Sequence, residues 1–170
     1  RYLFAEVESF LLYDFYTAGG NVDENVFAYS NRTGSERSLV LYHNRYAETS
    51  GWVRTSAAYA VKGADGEKTL MQKTLAEGLG ISADPHSYLI FRDALTNLEY
   101  IRSCQDLCER GLYAELHAYQ GHVFVDFREV HENRLGQYGQ LNAALNGRGV
   151  PSIAEALKEL FLAPVHAPLR

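Results

Sequence analysis

The residues with chemistry to offer are six histidines and 21 acidic side chains in a chain of 170. His117 and His122 flank Tyr119-Gln120-Gly121. On two strands of one hairpin they would be close enough to share a metal ion, but solvent-facing positions on adjacent strands are the preferred reading. Asp126, Arg128, Glu129, His131 and Glu132 follow the last strand-like run. A glycosidic site needs two carboxyl groups held about 5–9.5 Å apart. Spacing alone does not show that here, and a solvated strand end is the simpler account. Cys104 and Cys108 are the only cysteines, and no histidine stands at a metal-site spacing from them. They read as structural filler. No phosphate-cradling loop, dinucleotide fingerprint or nucleophile elbow occurs. The expectation is no catalytic residue, no metal site and no cofactor.

The most unusual segment is Tyr42-His43-Asn44-Arg45-Tyr46-Ala47-Glu48-Thr49-Ser50-Gly51-Trp52. Aromatic faces stack on sugar rings, and planar polar side chains bond their hydroxyls. The same residues also suit a polar, tyrosine-rich contact with a neighbouring domain. Tyr42, His43, Asn44, Arg45, Tyr46 and Trp52 are therefore the candidates for substrate binding or domain docking, with docking preferred. Asn31-Arg32-Thr33 fits a glycosylation sequon and reads as chance.

The bulk properties bound what such a site serves. A hydrophobic fraction of 46% and a charged fraction of 22% argue for a folded chain. A net charge of −5 argues against non-specific nucleic-acid binding, which needs a basic surface. No apolar run approaches the ~20 residues that span a bilayer, so no membrane partner is expected. The chain opens at Arg1 in the apolar segment RYLFAEVESFLLYDF, which reads as a piece of a longer polypeptide. The compartment stays open.

The elements that must position these residues are mostly strands. Within residues 1–16, spacings of three and four through Phe10 and Leu11 predict a short N-terminal helix that ends before an extended LLYDFYT at 11–17. Residues 26–30 and 38–44 predict strands joined by a polar link at 31–37, the second covered on both faces. A third strand is expected at 51–59, with a helical alternative. A helix is expected over 67–79, competing with a strand reading. Strands follow at 86–93 and 98–102, a short helix or polar loop at 103–110, and a hairpin of 112–118 with 122–127. Strands at this spacing predict a sandwich. Residues 138–146 and 152–161 predict helices.

The strand order resembles the C-terminal β-sandwich of α-amylase-type enzymes, glycoside hydrolase family 13. ENVFAYSNRTGSERSLVLYHN is similar to that domain's first hairpin, with Asn44 at the matching end. DALTN at 93–97 is similar to its Asp-x-Leu-Thr-Gly turn, and GLYAELHAYQGHVFVDF at 111–127 follows its closing strands. Asn97 stands where the family has Gly, the insert at 62–84 is long, and 133–170 has no counterpart. The resemblance implies a mainly β, antiparallel Greek-key sandwich at 25–132, with a short N-terminal helix and a helical extension at 133–170 packed on it. Residues 1–24 would end a preceding barrel. It further implies a non-catalytic domain that stabilises the catalytic barrel of the same polypeptide. The competing implication is a carbohydrate-binding module holding α-glucan through Trp52 and nearby tyrosines. The family's catalytic carboxylates lie in barrel motifs that this chain does not carry.

Overall fold

The computed structural model describes residues 9–33, 36–56, 59–62 and 66–166. Its first strand shows why the fold is β. In β1 (Ser9–Thr17) Leu11, Tyr13 and Phe15 are buried, whereas Phe10 and Leu12 are half exposed. That alternation of period two puts one set on each face of a sheet. The helical spacing expected through Phe10 and Leu11 is overridden by it. Residues 1–8 lie outside the described part, so the expected helix is corrected only at Ser9 and Phe10, and the extended LLYDFYT expected at 11–17 is borne out by β1. β1 is hydrogen-bonded between β2 (Val26–Thr33) and β4 (Thr49–Ser56). Residues 9–17 thus sit inside the same sheet as the residues after 25.

β2 and β3 (Glu36–His43) pair from Val26↔His43 to Thr33↔Glu36. The polar link expected at 31–37 is mostly strand, and only residues 34–35, outside the described part, join the two. In β3 Leu39 and Leu41 are fully buried, but Tyr42 is exposed and Val40 half-buried. β3 is therefore covered along its inner face, and on its outer face cover is complete only at Ser38. β4 takes the strand option for residues 49–56. Beyond residues 57–58, outside the described part, β5 (Tyr59–Lys62) and β6 (Lys68–Met71) form a separate ribbon. The helix expected over 67–79 shrinks to α1 (Leu75–Leu79). Thr74 and Glu77 make a capping box at its start, and Gly80 ends it at φ 69°.

β7 (Ser87–Asp93) and β8 (Glu99–Ser103) pair as expected, and α2 (Cys104–Glu109) follows. The last strands do not. β9 (Leu112–Leu116) pairs with β4, whereas β10 (Gly121–His131) lies between β3 and β7. The expected 112–118/122–127 hairpin is therefore replaced by two strands at different places in one eight-stranded antiparallel sheet, ordered β8-β7-β10-β3-β2-β1-β4-β9.

That order forces curvature. β9 and β10 stand five strand intervals apart, about 24 Å in a flat sheet. The chain from Leu116 to Gly121 can reach only about 18 Å. The sheet curls so that its inner faces share one core. Phe15, Leu39, Leu41, Val53, Leu89, Phe91, Leu112, Leu116 and Phe124 fill it, and Leu75 and Leu79 of α1 pack into it. Burying each such side chain contributes about 1.5–3 kcal/mol.

A second, smaller core lies on the outer face of β7 and β8. There Ile90 and Ile101 meet Leu141 and Leu145 of α3 (Gln137–Leu145) and Ile153 of α4 (Ile153–His166). The helical extension expected after residue 133 is present and packed. No described helix is long and apolar enough to cross a membrane.

Candidate functional site

Of the six candidates from the sequence, Tyr42, His43 and Trp52 lie on strands, and Asn44, Arg45 and Tyr46 lie in the β3–β4 connection. His43, on the inner face, is buried; its backbone N–H donates to Gln120 O at 2.9 Å and its Nδ1–H to His117 O at 3.1 Å. It ties β3 to the β9–β10 connection and has no access to solvent. Asn44 is exposed and donates its backbone N–H to Asn25 O. The Arg45 carbonyl accepts from Tyr119 N–H, and the Tyr46 ring, 83% exposed, stands 6.3 Å from that of Tyr119. Tyr42 lies on the outer face of β3, opposite Phe27.

Trp52 is elsewhere. β2 and β1 lie between its strand and that of Tyr42, about 14 Å along the sheet. The neighbours of Trp52 are Tyr16 and Tyr113, its direct partners on β1 and β9. The Trp52 and Tyr113 rings meet edge to face at 5.0 Å. Tyr16, Gly20, Trp52, Arg54, Thr55 and Arg110 line a cleft of about 690 Å3 beside this row. Tyr16 and Tyr113 escaped the sequence reading because they are 36 residues before and 61 residues after Trp52, and only register unites them.

Two further features stand out. On the outer face of the sheet, Phe10 and Leu12 of β1, Phe27 of β2 and Tyr42 of β3 are 40–55% exposed. Register places Leu12 against Tyr29 and Phe27 against Tyr42, and the Phe10 and Tyr29 rings lie 5.5 Å apart. These side chains form one apolar band across three adjacent strands, and β10 separates it from β7 and β8, which α3 and α4 cover. Contiguous apolar surface of this kind marks interaction sites in soluble proteins.

The other is a buried pair. His122 is on the inner face, not on a solvent-facing strand position, and its Nδ1 lies 2.6 Å from Oδ2 of the fully buried Asp93. Asp93 also accepts from Leu95 N–H and Val123 N–H. Burial pushes its carboxyl pKa up, but the bonds from His122 and the two amides and the attraction of His122 outweigh that. The net value is below the ordinary carboxylate range. His117 is exposed and paired with Glu48 at 3.0 Å.

The polar cluster after β10 has structural work throughout. Asp126, at φ 56° in a β-bulge, binds Arg92 at 2.6 Å. Glu129 accepts from Ser82, and His131 meets Ser87. Glu132 accepts from Tyr138 N–H and Gly139 N–H, an anion at the N-terminus of α3. Among the described residues no three His, Cys, Asp or Glu side chains are placed to hold a metal. Cys104 and Cys108 are free thiols. Burial first, with nearby carboxylates, pushes the Cys104 thiol up to about 12, which leaves it unreactive at neutral pH. Asn31 is fully buried, so the sequon is closed to modification in this fold.

No family model, curated protein or solved structure matches the chain. The geometry must carry the functional reading by itself. It offers one exposed apolar band, one aromatic row beside an open cleft, and one buried His–Asp pair beside a polar cleft.

Proposed function

We propose that this chain is a non-catalytic accessory domain of an α-amylase-type glycoside hydrolase or glucan-remodelling enzyme, seated against the catalytic barrel of the same polypeptide. The observation that carries the reading is the band of Phe10, Leu12, Phe27 and Tyr42, which leaves large apolar side chains half in water on one sheet face. Completing the burial of four such side chains is worth on the order of 5 kcal/mol before ordering costs. That is enough to make the barrel and this domain stabilise each other.

The sheet supports the family half of the proposal. Strands β4, β1, β2 and β3 are neighbours in that order, which is the order of a Greek key. Folding of the curled sheet into a sandwich is part of the same proposal. Asn97 adopts φ 62° in the DALTN turn. It takes the left-handed conformation at the position where the resembling domains carry Gly, and Asn is among the residues that tolerate it. Asp93 caps that turn through Leu95 N–H.

The test is to produce the parent enzyme with and without this domain. The reading expects the shortened enzyme to lose thermal stability while the chemistry at its carboxylates persists. Equal stability and equal activity on soluble glucan would overturn it.

A second reading, an α-glucan-binding module, is favoured by one observation. The row of Tyr16, Trp52 and Tyr113 crosses three strands beside an open cleft. Stacking on such rings holds the C–H face of a sugar, while Arg54 and Arg110 supply donors for its hydroxyls.

A further inference from the structure

The curl of the sheet brings its two edge strands, β8 and β9, to the sides of one cleft of about 360 Å3. Tyr100 and Arg102 of β8, Tyr113 and Glu115 of β9, and His122 and Phe124 of β10 line it, with the loop 146–149 closing one end.

Arg102 is the unusual member. It pairs with Leu89, a core residue, so its side chain belongs to the inner face of the sheet. Its guanidinium carbon lies 5.9 Å from the Phe91 ring centre and 5.6 Å from that of Tyr100. The cation donates to Ile101 O at 3.0 Å and Gly147 O at 3.3 Å. A guanidinium carries five N–H donors in a planar fork. Among the described residues no carboxylate forms an ion pair with Arg102. Two aromatic rings and two carbonyls hold it in place but do not neutralise its charge. Burial accordingly lowers its pKa, with Tyr100 offsetting part of the effect.

The rest of the lining limits what can answer that charge. Arg148 is committed to the end of α3, donating to Leu145 O and Ala144 O. Glu115 accepts from Tyr113 Oη–H at 3.1 Å and adds a carboxylate at the exposed mouth. The Asp93 carboxylate takes the Nδ1–H of His122, which leaves Nε2 as the nitrogen open to a ligand. In the neutral ring with that tautomer, Nε2 is an acceptor. The cleft therefore offers an unneutralised planar cation and, on the neutral imidazole, an oriented acceptor, with Tyr100 and Phe124 as apolar walls.

We infer that the cleft between β8 and β9 binds a small oxyanion that also carries a hydroxyl, its charge on Arg102 and its hydroxyl on His122 Nε2. A phosphate monoester and a hydroxycarboxylate share this chemistry. The site lies on the core-facing side of the sheet and is independent of the apolar band on the outer face.

The experiment is a titration of the full chain followed by NMR at the Arg102 Nε–H and the His122 ring, using inorganic phosphate, gluconate and sulfate near neutral pH. Saturable shifts of both groups in the millimolar range are expected with phosphate, with gluconate, or with both, and the tighter of the two identifies the class. Sulfate, which has no hydroxyl at that pH, should bind roughly tenfold more weakly. Arg102→Gln should abolish the shifts at His122. Arg102→Lys, which keeps the charge but not the fork, should weaken them and covers the case in which the glutamine variant does not fold. Absence of a saturable shift with both phosphate and gluconate would overturn the inference. So would shifts of equal size at the exposed Arg54 and Arg110, or binding unchanged in the lysine variant. Sulfate binding as tight as phosphate would remove His122 from the site.

Discussion

Asp93 and His122 are joined by a 2.6 Å contact across two neighbouring strands, and Asp93 has no exposure to solvent. One carboxylate thereby fixes the imidazole, the Leu95 amide of the β7–β8 turn and the Val123 amide of β10.

Asp93→Ala leaves three donors without their acceptor, and a loss of about 3 kcal/mol is expected in urea unfolding. The pH dependence has a defined sign. The folded Asp93 pKa lies below its unfolded value, near 3.9. Its contribution is therefore complete above that value and disappears as pH falls through the lower folded one. Asp93→Asn should flatten the stability profile in that acid window, and a profile unchanged there would contradict the assignment.

Gly51 of β4 pairs with Thr17 of β1. A Cβ there would overlap the Tyr16 carbonyl and crowd the Phe15 ring. Gly51→Ala should cost about 1–3 kcal/mol and loosen the pairing that aligns Tyr16 with Trp52. Unfolding midpoints of the two proteins check this, and equal midpoints would refute the close approach.

Trp52 is the only tryptophan, so its emission reports one place. If the aromatic row holds glucan, maltooligosaccharide should shift that emission saturably, and Tyr113→Ala should weaken the effect by roughly tenfold. A flat titration into the millimolar range would remove the second reading and leave the docking proposal untouched.

Much of the fold was legible where local chemistry decides it. The strands around residues 26–43 and 87–103 follow their β-branched and aromatic runs, and the amphipathic Ile153 segment follows its 3.6-residue period. Only the start of β1 was misread, because Phe10 and Leu11 satisfy both periods, and only Leu11, Tyr13 and Phe15 taken together choose between them. The Thr74–Glu77 capping box, which marks where α1 begins, was not read from the sequence. The β9–β10 error is of another kind. Tyr119-Gln120-Gly121 carries turn chemistry, but pairing is a long-range choice, and β9 pairs with β4 instead. The same limit hid Tyr16 and Tyr113 from Trp52, Asp93 from His122, and the apolar band from all three of its strands. Each of these sites is made by register, which residue spacing along the chain does not encode.

The apolar band is the centre of the account, and one comparison tests it most directly. Leu12→Ser and Phe27→Ser together are measured by thermal unfolding, once in this chain alone and once in the parent enzyme. Both residues are about half exposed, so the isolated chain should change by no more than about 1 kcal/mol. The parent enzyme should lose several degrees in Tm, because there the two side chains are buried against the barrel. An unchanged parent, or an equal loss in both proteins, would contradict the account.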